Sequence, residues 1–221
     1  LKTVFAKLPQ ALEGTKPVLL YPVCGLILVG LIMVFVINPP TAVFNQWLSF
    51  TLAGMTTTSK IFLGLILGGM MSIDFGGPIN KAAYVLVDAS GAAVSSGIMA
   101  SVMIGGMVPP IAIALAMLVF KSKFTEKERQ STLTNFIMGL SFITEGAIPF
   151  AASDPVHVIP SCAVGSAVAG ALSMFFNCTV PAPHGGIFVF GVVTNWPMYL
   201  AALFAGAVVA ALLLGLTRKN A

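Results

Sequence analysis

The chain has 221 residues, of which 57% are hydrophobic and 8% charged, with a formal net charge of +4. Soluble domains carry about a quarter charged residues, so this composition excludes a soluble protein and points to an integral membrane protein. The basic residues sit at segment ends, where they set orientation in a bilayer, and they give no case for nucleic-acid binding.

Gly 22 and Pro 14 are high for plain spanning helices and mark broken helices, close crossings and re-entrant loops. Residues 1–16, with Lys2, Lys7 and Lys16 among apolar neighbours, read as an interfacial segment. "PVLLYPVCGLILVGLIMVFVI" (17–37) is uncharged and long enough to cross about 30 Å of hydrocarbon. The following Asn38-Pro39-Pro40 predicts a helix break. In "TAVFNQWLSFTLAGM" (41–55), Phe44, Trp47, Leu48, Thr51 and Met55 share one helical face, the pattern of an amphipathic helix in the membrane interface.

A second span, 61–73, is short and ends at Asp74. The third, roughly 92–120, contains Pro109-Pro110, which predicts a kink or break. "KSKFTEKERQ" (121–130) is the one strongly charged run, a solvated loop placed on the cytoplasmic side by its basic residues. From 133 to 155 an apolar pattern is interrupted by Glu145, Gly146, Pro149 and Asp154, which reads as a re-entrant hairpin. A fourth span covers 156–180, "PAPHGGIFVFG" (181–191) reads as a second re-entrant segment, and the last span is 196–216, with Trp196 and Tyr199 at one end. The expected fold is therefore an all-α membrane protein: about five transmembrane helices, two re-entrant hairpins and interfacial amphipathic helices.

An ionisable side chain costs about 2.5–3.5 kcal/mol at mid-helix on insertion scales, and usually faces a cavity or a partner. Four clusters qualify. In "TEGAIPF" (144–150), Glu145 can accept hydrogen bonds from sugar hydroxyls and take a hydroxyl proton; the structural alternative is an ion pair, for which Lys81 is a candidate. In "DFGGPINKAAY" (74–84), Asp74, Asn80 and Lys81 bring acceptor, amide and ammonium together, and a solvated surface turn is the alternative. In "PAPHGGIF" (181–188), His184 precedes Gly185 and Gly186, which allow close backbone approach. In "SDPVHV" (153–158), Asp154 reads as a helix cap and His157 as interfacial. Cys24, Cys162 and Cys178 lie in apolar runs without ligand spacing, so they read as small buried hydrophobes; no metal or cofactor is expected. Two interrupted apolar segments with polar groups are the sequence pointer to a transporter binding site, while no nucleotide-binding or hydrolase motif is present.

"LPQALEGTKPVLLYPV", "LGGMMSIDFGGPINKAAY", "GGMVPPIAIALA", "FITEGAIPFAASDPVHVIP" and "APHGGIFVF" together resemble the fructose-family membrane component, enzyme IIC, of the bacterial phosphoenolpyruvate-dependent sugar phosphotransferase system. The resemblance spans nearly the whole chain. It implies a multi-pass protein of the bacterial inner membrane that binds fructose or a similar sugar. A cytoplasmic IIB partner, bearing a phosphocysteine and charged through HPr and IIA, then phosphorylates that sugar. It further implies a homodimer formed through N-terminal helices, and makes residues 1–221 the C-terminal, substrate-handling half, with those helices, IIA and IIB outside this chain. By motif, Glu145 matches the hairpin glutamate that contacts the sugar and is the expected catalytic residue. Asp74, Asn80, Lys81, Thr144, His184 and Gly185 complete the expected substrate site. The competing expectation is an ion-coupled sugar transporter with Glu145 and Asp74 as proton or cation sites.

Overall fold

A computed structural model describes residues 16–40, 43, 59–89 and 92–219. The interfacial segments expected at 1–16 and 41–55 lie outside these, apart from Lys16 and Val43. The chain divides into two units, Leu1–Leu48 and Ser49–Ala221. In the first, helix α1 (Tyr21–Pro40) is apolar on every face and long enough to span a bilayer. Asn38, Pro39 and Pro40 are still helical, and the helix is described as far as Pro40.

The second unit is all-helical among its described residues apart from one isolated antiparallel bridge. Its helices are α2 (Ser59–Met70), α3 (Pro78–Ala89), α4 (Ala92–Val119), α5 (Thr132–Leu140), α6 (Ile148–Ser153), α7 (Pro155–Phe175) and α8 (Trp196–Thr217). Together with α1, α4, α7 and α8 are the described helices long and apolar enough to cross a membrane. In the segment expected as a second span, the described helix α2 has 12 residues, about 18 Å of rise.

Helix α4 is the buried centre: Val102, Met103, Ile104, Met107, Val108 and Ile113 are all sealed from solvent. It runs through Pro109 and Pro110 as one helix, so of the expected kink or break the break does not occur. Each proline lacks the N–H that would bond the carbonyl four residues back. Those carbonyls belong to Gly105 and Gly106, and both find hydroxyl donors on other elements: Ser166 Oγ donates to Gly105 O at 2.8 Å and Thr144 Oγ1 to Gly106 O at 3.0 Å. With the freed acceptors satisfied, the helix has no reason to open.

Small residues set the helix spacing. Gly64 and Gly68 of α2 meet Ser166 and Gly170 of α7 backbone to backbone, and a methyl group on either α2 glycine would run into an α7 carbonyl. Gly165 and Ala169 of α7 meet Gly206 and Ala210 of α8 in the same way. This small-xxx-small geometry is how apolar helices associate without a hydrophobic driving force between them. Tyr199, in the first turn of α8, is fully buried against α4 and donates to Ala100 O at 3.0 Å.

Between these long helices lie two short excursions. Helix α5, a turn through Phe142 (φ 61°), a 3₁₀ turn at Thr144–Ala147 and α6 make the segment read from sequence as a hairpin; α5 and the 3₁₀ turn pack on α4, and α6 on α7. Neither α5 nor α6 is long enough to cross. The second excursion, 179–194, is closed at its neck by Thr194 N–H donating to Thr179 O at 3.0 Å and carries the 3₁₀ helix Gly186–Val192.

Candidate functional site

The stretch between α2 and α3 interrupts the helical path with turns at 71–77. Phe75 (φ 44°) and Gly76 (φ 113°) take left-handed backbone there, and Pro78 opens α3 where its missing N–H costs nothing. Asp74 holds this break together: its carboxylate accepts from Ile79 N at 2.6 Å and Asn80 N at 3.0 Å, first-turn donors of α3 that have no partner within the helix. Both oxygens are thereby committed to backbone. Asn80, only 3% exposed, donates from Nδ2 to Met71 O at 2.9 Å, which leaves its Oδ1 without a protein donor among the described residues.

The break, the hairpin turn and the Pro-His-Gly-Gly loop enclose a cavity of about 400 Å³, within the usual range for small-molecule sites. Asn80, Lys81, Thr144, Glu145 and His184 line it, together with Met71, Gly76, Tyr84, Phe142 and Pro183. Five of the residues expected from sequence thus meet in one place. Asp74 and Gly185 do not line it: Asp74 braces α3, and Gly185 (φ 131°) shapes the loop that carries His184.

Glu145 is the cavity's distinctive group. Its side chain lies against Gly76, where a Cβ would stand 2.8 Å from Oε1. The carboxylate is exposed and has neither a hydrogen bond nor an ion pair among the described residues. The alternative role, an ion pair with Lys81, is not formed; the Lys81 ammonium lies 6.0 Å from the Tyr84 ring centroid instead. No group among the described residues pairs with Glu145, although Lys81 and His184 line the same cavity.

The opposite wall is aromatic. Phe142 stacks on Tyr84 at 5.9 Å and on His184 at 4.9 Å between ring centroids. The Tyr84 hydroxyl donates to Pro183 O at 3.1 Å and ties α3 to the histidine loop. Gly186 (φ 55°) lets that loop lie directly on the 140–142 backbone, because a Cβ there would stand 2.8 Å from Phe142 N. Tyr84 and Phe142 escaped the sequence reading. Tyr84 could have been found, since it follows Asn80 and Lys81 by four and three positions on one helix and so shares their face.

Asp154 at the far end of the hairpin has a different fate. It occupies the position before α7 but makes no side-chain cap, contrary to expectation. Its carboxylate meets His157 Nδ1 at 2.7 Å and Arg218 Nε at 3.5 Å. Arg218 also donates from Nη2 to Glu128 Oε1 at 2.7 Å, with its guanidinium 4.4 Å from the Phe124 ring centroid. Glu128 closes a capping box with Thr125. The charged run at 121–130 is thus folded onto the end of α8.

No family model and no solved structure matches the chain. Among curated relatives, it is 50% identical to the "PTS system fructose-specific EIIABC component" of Bacillus subtilis over 224 residues, covering 99% of this chain and 34% of that protein. It is 44% identical to the "PTS system fructose-specific EIIB'BC component" of Escherichia coli, over 93% of this chain and 37% of that protein. The chain thus spans about a third of these multidomain relatives. With the "Fructose permease IIC component" of Bacillus amyloliquefaciens it shares 49% identity, over 99% of this chain and 72% of that protein. Similarity on that scale to a dedicated permease component, carried by a chain of long apolar helices, makes this a multi-pass membrane protein that belongs to the fructose-family enzyme IIC components of the phosphotransferase system.

Proposed function

We propose that this chain binds fructose or a fructose-like sugar in the cavity around Glu145 and presents it for phosphorylation by a IIB partner during transport across the membrane. The observation that carries the reading is Glu145 itself: an unpaired carboxylate in a cavity that also holds the Lys81 ammonium, the free Asn80 Oδ1, His184 and a stacked aromatic wall. A sugar matches this set. Its hydroxyls both donate and accept, so they can bridge groups that the protein holds apart, and its C–H face suits an aromatic surface. The fructose named in the relatives' descriptions supports the choice of sugar.

In the phosphoryl step, a sugar hydroxyl oxygen forms a bond to phosphorus while the bond from phosphorus to the IIB cysteine sulfur breaks. The thiolate leaves, and Glu145 takes the hydroxyl proton. Cys162 and Cys178 are buried, which supports a phosphocysteine supplied by the partner. The hairpin at 132–153 and the loop at 179–194 serve as the two re-entrant elements. Moving against the rest of the permease, they expose the sugar to each side in turn. IIA and HPr upstream, and a homodimer, complete the assembly.

The test is a sugar panel offered to membrane vesicles containing the full-length protein and phospho-IIB, scored for sugar phosphate. Fructose is expected to give product only when phospho-IIB is present. Uptake that persists without phosphoenolpyruvate and IIB but collapses with the proton gradient would instead establish an ion-coupled transporter. The commitment of both Asp74 oxygens to α3 counts against that alternative.

A further inference from the structure

Thr144 precedes the exposed Glu145 but is itself only 4% exposed. A hydroxyl has a single proton to donate, and that of Thr144 goes to Gly106 O. That carbonyl is available because Pro110, four residues on, has no N–H to offer it. Gly106 also leaves room for the contact: a Cβ there would stand 2.7 Å from Thr144 Oγ1 and 3.0 Å from the Met71 methyl, and would strike the Phe142 ring. Three lining residues of the cavity, Met71, Phe142 and Thr144, therefore converge on one backbone unit of the central helix.

We infer that Thr144 is a positioning residue rather than a sugar ligand. Its hydroxyl pins the turn that carries Glu145 to the carbonyl freed by Pro110, and this contact fixes where the carboxylate stands. Pro109 and Pro110 have separate tasks. The carbonyl freed by Pro109 takes Ser166, which receives the Ser72 hydroxyl at 2.5 Å and so joins α7, α4 and the start of the helix break. The carbonyl freed by Pro110 takes Thr144. One proline pair in α4 thus anchors both the break and the hairpin turn that face the cavity. For its kinetic consequences, the inference rests on the sugar-binding reading; for the position of residue 145 it does not.

The test uses the full-length protein in vesicles, with two readouts. One is KM and kcat for sugar-phosphate formation. The other is the labelling rate of Glu145→Cys by a charged methanethiosulfonate, corrected for the parent protein carrying only its native cysteines, and it needs no sugar. Thr144→Val keeps the shape and deletes the hydroxyl. It is expected to raise KM about tenfold, the effect of one buried hydrogen bond, and to change the labelling rate several-fold. Thr144→Ser keeps the donor and is expected to stay within about threefold of wild type in both. In Pro110→Ala/Thr144→Val, the backbone N–H restored at position 110 satisfies Gly106 O, so thermal stability recovers while KM and labelling remain shifted. The inference is overturned if Thr144→Val labels like wild type, or if adding Pro110→Ala restores labelling, since Thr144 would then only satisfy a carbonyl. If the wild-type protein makes no sugar phosphate, the sugar-binding reading fails, and the labelling series still decides this one.

Discussion

Two carboxylates stand at opposite ends of one hairpin. Asp154 is engaged by His157 and Arg218, and through Arg218 is joined to Glu128. Glu145 has no such partner among the described residues, although Lys81 lines the same cavity. In a chain that is 8% charged, the difference separates two uses of charge. The charges at the Asp154 end are paired with one another by the protein. The charge at the cavity end is left open to a ligand.

The sharpest way to break this comparison is Glu145→Gln. The amide keeps the shape but cannot take a proton. Sugar-phosphate formation with phospho-IIB is expected to fall by about 10²- to 10⁴-fold, the usual contribution of a general base. Thermal stability should hardly change, because no protein partner loses its mate. An unchanged rate would remove the proposed role of Glu145. A large drop in melting temperature would show that the carboxylate belongs with Asp154 after all.

Arg218→Met is the converse. It leaves Glu128 and Asp154 facing apolar surroundings without their guanidinium, and Arg218 itself is nearly buried. Breaking a fully buried pair costs about 3–5 kcal/mol; with both carboxylates partly exposed, about 2 kcal/mol is expected. Thermal unfolding in detergent measures it, and the folded fraction should keep its sugar affinity. Loss of affinity at unchanged stability would mean that the two ends of the hairpin do not divide their tasks.

Asp74 sharpens the same contrast, because sequence placed it with Glu145 and its contacts place it with Asp154. Asp74→Ala removes the acceptor for two first-turn N–H groups of α3. Loss of a capping side chain costs about 1 kcal/mol. The expected result is a modest fall in melting temperature and a KM that rises only as far as the break loosens. A collapse of kcat at unchanged stability would return Asp74 to the chemistry.

What could be read from sequence follows from how local each property is. Glu145, Asn80, Lys81 and His184 stood out because polar groups in apolar, glycine-interrupted segments are visible one residue at a time. The role of Thr144 was not, because it depends on a carbonyl 38 residues away. The continuity of α4 across Pro109-Pro110 was hidden for the same reason: the hydroxyls that repair it come from the hairpin and from α7. Asp154 resembled a cap because it precedes a helix, whereas its carboxylate goes to His157 three residues on and to Arg218 just past the last helix. The burial of Tyr199 comes from the packing of α8 on α4, which its place near a helix end does not reveal.

The smallest effect expected is the pH dependence carried by Glu128. Burial raises the pKa of its carboxyl, but hydrogen bonds from Arg218 and Thr125, with the guanidinium charge, more than offset this and hold it below the ordinary glutamate value. A folded pKa below the unfolded one means that the unfolded state binds the proton more tightly. The stabilisation is therefore fully present above the unfolded value of about 4.3, and it is lost as pH falls through the folded value. Because Glu128 is substantially solvated, the total is expected at no more than about 1 kcal/mol. Melting temperatures of wild type and Glu128→Gln, followed from neutral to acid pH, should differ most near neutrality and converge as acid protonates the wild-type carboxyl. A gap of constant size across that range would mean that the Glu128–Arg218 contact contributes as a neutral hydrogen bond, and that the charge at this end of the hairpin is incidental to its strength.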